Sequence, residues 1–223
     1  YEGGYATYSL MGSTLAISNH ILITQSNAVG TKTPGRYIPV SQGFFVIADE
    51  GGTISFKNSQ RIFKKEGSGS SVFMRSNSTE SQATTNNTEV DERQKIKLMF
   101  DSASGYHRQI LVGVDEIATN QVDKGYDAKL ADEGVADMYW KINDDNFVIQ
   151  AVSDFNSNQN LQLGVKTNTP GDINIRIDIL ENISDDLGVF IYDTQLDIYH
   201  NLREGDFTTY LEAGQYDSRF QLV

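Results

Sequence analysis

The 223-residue chain contains no cysteine. That one absence removes disulfide staples, thiol nucleophiles and zinc–thiolate centres. It assigns no compartment, because many exported bacterial proteins avoid cysteine. Basic charge is also in short supply: 18 Lys and Arg face 30 Asp and Glu, a net charge of −12. So acidic a chain repels phosphate backbones, which argues against a nucleic-acid partner. Long apolar runs are missing too. The run Gly43-Phe44-Phe45-Val46-Ile47-Ala48 is far too short to span a bilayer, and no transmembrane segment is expected. No stretch carries a sustained helical stripe. The chain opens at Tyr1 without an initiator Met and is expected to be a piece of something longer.

What the chain does have is alternation. Ile173, Ile175, Ile177 and Ile179 interleave with Asp172, Asn174, Arg176 and Asp178, which places the four isoleucines on one face of a strand. The same period of two runs through Ile96-Leu98-Phe100, Met138-Trp140-Ile142, Phe147-Ile149-Ala151 and Leu161-Leu163-Val165. Shorter strands are expected at Val189–Tyr192, Leu196–His200, Phe207–Leu211 and Arg219–Val223. Turn signals at Gly51-Gly52, Gly105, Pro170-Gly171, Glu204-Gly205 and Gly214 separate these runs. The expected class is all-β: a jelly-roll-like β-sandwich unit over 1–150, followed by a smaller immunoglobulin-like β-sandwich over 151–223. A Ser-, Thr- and Asn-rich stretch at about 76–92 predicts a mobile loop. The boundary near 150 leaves open that both units share one sheet.

Catalytic signatures are not found. His20, His107 and His200 lack any paired metal spacing, and there is no Gly-x-Ser-x-Gly elbow. These histidines are expected to be structural or on the surface. Acidic residues cluster instead: Asp115-Glu116, then Asp123 and Asp127, then Asp132-Glu133. Carboxylates converging from one loop suit a hard cation such as calcium, which takes six to eight oxygens. Asp115, Asp123 and Asp127 are therefore the candidate metal ligands, and solvated turn residues are the plainer explanation. A carboxylate-based hydrolase needs two acids facing each other across a cleft, and no such pair can be placed from sequence. Aromatic side chains that could stack on sugars include Tyr106 and Tyr126, the candidate ligand-binding residues. Trp140, in phase with Met138 and Ile142, belongs to the core.

Several phrases together resemble one family. They are Tyr1-Glu2-Gly3-Gly4-Tyr5-Ala6-Thr7-Tyr8; Arg36-Tyr37-Ile38-Pro39-Val40-Ser41-Gln42-Gly43-Phe44-Phe45-Val46; and Phe56-Lys57-Asn58-Ser59-Gln60-Arg61. Further along come Arg108-Gln109-Ile110-Leu111-Val112-Gly113, Asp123-Lys124-Gly125-Tyr126-Asp127-Ala128 and Gly214-Gln215-Tyr216-Asp217-Ser218-Arg219-Phe220. In this order they are similar to the region preceding the C-terminal sorting domain of type IX secretion cargo in Bacteroidetes. The resemblance implies transit through the type IX secretion machinery, a secreted or cell-surface location, and further chain on both sides, which leaves the first unit, 1–150, short of strands at its N-terminus. It brings no catalytic residues and no cofactor. The function it implies is a non-catalytic structural or adhesion module of a large multidomain protein. Surface glycans or other cell-surface proteins are the expected partners. The alternative is a carbohydrate-binding module, with calcium as its possible cofactor.

Overall fold

Side chains of nine strands converge on one interior in the computed structural model, which describes residues 5–16, 30, 32–48, 51–63 and 91–223. The expected mobile loop at 76–92 lies outside these residues except for its last two. The strands are β1 (Lys95–Asp101), β2 (His107–Val114), β3 (Ala128–Lys129), β4 (Asp137–Ile142), β5 (Asp145–Val152) and β6 (Leu161–Thr167). They continue with β7 (Gly171–Glu181), β8 (Phe190–Asp193), β9 (Ile198–Asn201), β10 (Phe207–Leu211) and β11 (Gly214–Leu222). Among the described residues the only helical element is a single 3-10 turn at Asn58–Gln60.

All eleven strands join one sheet, in the order β10-β7-β1-β2-β5-β4-β6-β11-β8-β9, with β3 attached to β5. Strands β2 and β5 run parallel and the other neighbours antiparallel. The two ends of the order, β9 and β10, are consecutive in the chain. Their His200 and Phe207 rings meet edge to face with centroids 5.6 Å apart, so the sheet nearly closes into a barrel. The fold is all-β, as the alternation predicts. The division expected at 150/151 falls inside β5, and β6, β7 and β11 interleave with earlier strands. The two predicted units therefore share one sheet.

The interior holds Leu98 and Phe100 of β1, Ile110 and Val112 of β2, Trp140 of β4, Leu163 of β6, Ile175 of β7 and Phe220 of β11, all fully buried. Burying each such side chain is worth roughly 1.5–3 kcal/mol. Trp140 occupies this core, as its phase requires. Its indole N–H donates to the Leu111 carbonyl at 2.8 Å. A second cluster covers the outer face of β2 and β5: Met11, Leu111, Ala118, Val148, Ile149 and Ala151. Met11 reaches it because Gly113 has no side chain; a Cβ there would sit 2.7 Å from the Met11 methyl.

The four isoleucines of β7 do not share one face. A bulge shifts the register between Lys97 and Leu98 of β1, so Ile177 lies across from Leu98 and Ile179 across from Lys97. The extra residue turns Ile179 outward, where it is 42% exposed. Strict alternation cannot reveal an inserted residue.

Gly164 of β6 pairs with Tyr139 of β4, and the Tyr139 ring lies over the space where a Cβ would stand. That ring is fully buried, and its hydroxyl donates to Asp217 Oδ1 at 2.7 Å while accepting from Gln215 at 3.0 Å. It has little freedom to move aside. Gly164→Ala is expected to cost about 1–3 kcal/mol through overpacking. The midpoint of urea unfolding reads this directly; an unshifted midpoint would mean that the ring is free to swing.

Candidate functional site

The loop between β2 and β4 carries the acids singled out from sequence, and most of them are occupied within the chain. Asp115 accepts from Arg93 Nη1 at 3.0 Å and tethers the strand entering β1. Asp123 accepts from the Thr119 amide at 2.6 Å and from the Thr119 hydroxyl. Asp127 accepts from the Asp123 amide through Oδ2 and from the Ala151 amide through Oδ1, each at 2.6 Å. The structure therefore brings Asp123 and Asp127 together and directs Asp115 toward Arg93. Among the described residues, no group of three or more His, Asp or Glu side chains is arranged to hold a metal ion.

Two acids in this loop, Asp127 and Asp132, have a raised pKa, and Asp127 is the one without a guanidinium beside it. Burial pushes its carboxyl up from 3.8 to about 6, reinforced by the Asp123 charge and opposed by the two amide donors. The sign of the consequence follows from proton linkage. Between 3.8 and about 6 the folded chain holds this proton and the unfolded chain does not, so Asp127 makes the fold less stable as pH rises through that window. Asp127→Asn is expected to remove that contribution. Urea midpoints of variant and parent taken across the window should differ in slope; parallel curves would show that Asp127 titrates normally.

Tyr106 and Tyr126 are both half-buried and stand at opposite ends of β2. Tyr106 belongs to the β1–β2 hairpin, whereas Tyr126 packs against the outer cluster around Met11 and Leu111. They do not form one platform. Of the histidines, His107 pairs through Nδ1 with Asp101, which also binds Arg176. His200 uses Nε2 against the Gly205 carbonyl at 2.9 Å. His20 lies outside the described residues.

Two buried charge clamps went unread in the sequence. Arg108 donates to both Asp137 oxygens, from Nε at 2.6 Å and from Nη2 at 2.8 Å, and to the Asp132 side chain and carbonyl at 3.2 and 3.1 Å. The amides of Gly134 and Met138 complete the Asp137 shell. The second clamp joins Asp193 at the end of β8 to Arg219 of β11, again with two oxygens engaged. Burial pushes the Asp193 carboxyl up, but the Arg219 hydrogen bonds and charge outweigh it and leave the group below its ordinary value. No local pattern marks either pair, because the partners lie 29 and 26 residues apart.

The exposed aromatic feature lies elsewhere. Tyr192 of β8 and Tyr199 of β9 are register partners whose rings stack at 4.2 Å with an interplanar angle of 14°. Tyr199 is 61% exposed, and the Tyr192 hydroxyl donates to Asp197 at 2.9 Å. Among the described residues, strand β9 pairs on one edge only, with β8. The sequence signal for the stack was Tyr192 and Tyr199 flanking a short turn.

A family model described as Domain of unknown function (DUF8693) matches residues 3–223. No curated protein and no solved structure gives a significant match.

Proposed function

The chain belongs to the DUF8693 family, and we propose that it is a non-catalytic structural or adhesion module of a large secreted or cell-surface protein exported by the type IX secretion system. The observation that carries this reading is how its charges are used. Asp115, Asp123, Asp127, Asp137 and Asp193 each satisfy a guanidinium or backbone amides of the same chain. Carboxylates committed in this way hold strands together and are poorly placed to exchange protons with a substrate. In this reading the near-barrel is a flattened, jelly-roll-like sandwich. Residues 151–223 are an immunoglobulin-like portion that shares its sheet with β1 and β4. The export route and surface location rest on the sequence resemblance. They are tested by expressing the full-length parent in a type IX-competent host with the machinery intact or disrupted. Surface protease should remove the module only when the machinery is intact; equal protection in both strains would refute export.

A second reading is favoured by the Tyr192–Tyr199 stack: a carbohydrate-binding module, with calcium bound in the acidic loop. A glycan array run with calcium and again with chelator decides between the readings. Silence under both conditions supports the structural module. Binding that Tyr199→Ala abolishes supports the sugar site, and sensitivity to chelator would bring Asp123 and Asp127 into it.

A further inference from the structure

Ile173 and Ile175 of β7 are fully buried and pair with β10, and Ile175 has β1 on its other side. Strand β10 pairs only with residues 171–175. Beyond it, Arg176–Glu181 keep β1 as their one strand neighbour among the described residues, and burial fades to half at Ile177 and Leu180. An edge of this kind presents unpaired N–H and C=O groups beside a core that lacks a neighbour.

Among the described residues the same chain also contains an apolar segment that pairs with no strand and whose Phe45 ring meets Tyr5 edge to face at 5.5 Å. In residues 43–48 and 53–57 the side chains of Phe44, Phe45, Val46, Ile47, Ile54 and Phe56 are all exposed, Phe45 by 82%. Phe44 and Phe56 meet edge to face at 6.0 Å, which sets the two runs side by side. So much apolar surface on one short segment marks an interaction site.

We propose that residues 43–48 and 53–57 add as strands to the free edge of β7, Arg176–Glu181, of their own barrel. Two observations select this occupant. The family model spans residues 3–223, so segment and barrel are one inherited unit. The chain is also delivered close to the edge. The Leu15 amide donates to Gln109, Gln109 bonds Asp178 of β7, and Gly30 bonds Ala16. From Gly30, the 13 residues to Gly43 reach up to about 43 Å, and the tether gives the segment a high effective concentration at its own barrel.

The cysteine-free chain makes the test direct. Cysteine is placed at Phe45, Val46 or Phe56 together with Ile177 or Ile179 in the full chain, and the protein is oxidised at high dilution. At least one pair is expected to cross-link within a monomer. Amides of residues 177–181 should exchange at least about tenfold more slowly than in a Phe44→Asp, Val46→Asp double variant. Cross-linking only between molecules would assign the edge to a second copy and overturn the proposal. Failure of every pair, with exchange at 177–181 unchanged by the double variant, would overturn it outright.

Discussion

Asp137→Ala is expected to destabilise the fold by about 3–5 kcal/mol, the cost of leaving a buried guanidinium without its partner. Asp137 is fully buried and binds Arg108 through both oxygens. Asp132 is left as the remaining anion, in contact with Nη1 at 3.2 Å. Burial raises the Asp132 carboxyl and the Arg108 charge opposes that rise, so its compensation for the lost partner is partial. The amides of Gly134 and Met138 lose their acceptor in the same step. A loss of this size is a large share of the stability of an ordinary domain, so the variant should unfold at markedly lower urea. The double variant Arg108→Met, Asp137→Leu isolates the cause. Replacing both charges with apolar groups should recover much of the loss, because no ion is then left unpaired. If the double variant falls as far as the single one, the clamp acts through shape and not through charge.

Trp140→Ala is expected to cost a similar amount, about 3–5 kcal/mol, by opening a large cavity in the barrel interior. The side chain is fully buried, lies among core residues of several strands, and holds the Leu111 carbonyl across to β2. Trp140→Phe divides the effect: much of the apolar volume returns, while the indole donor stays absent. The phenylalanine variant should therefore keep a residual loss of about 1–3 kcal/mol from the unsatisfied carbonyl. Thermal unfolding of the two variants side by side measures both parts. Equal losses would place the whole effect in the N–H, and a neutral Trp140→Phe would place it all in the volume.

How far the fold was legible depended on the range of the interaction. Period-two runs located most of the strands correctly, because alternation is imposed locally by the pleat. Ile96-Leu98-Phe100 and Leu161-Leu163-Val165 behave as read. The bulge in β7 escaped notice, since Asp178 looks like any other polar residue between two isoleucines. Strand order was equally invisible: β1 finds β7 across some seventy intervening residues, and nothing local announces that pairing. The acids of the 115–133 loop could be listed from sequence, but their direction could not. Whether Asp115 turns toward Asp123 or toward Arg93 is settled by where β1 begins. Tyr106 and Tyr126 drew attention as loop aromatics, while the Tyr192–Tyr199 stack depends on a cross-strand register that single residues do not disclose.

The position of β11 governs when this protein can fold. Residues 214–222 lie within the sheet, between β6 and β8, and carry Phe220 and Leu222 into the core. A nascent chain that has emerged only as far as β10 must leave β6 and β8 facing each other across a missing strand, with their edges and the interior wet. The interior is complete only once β11 is in place, and it depends on distant pairings such as β1 with β7 and β6 with β11, the slow regime for β-proteins. Until that moment the polypeptide remains open and threadable, and vulnerable to proteases and to pairing with its neighbours.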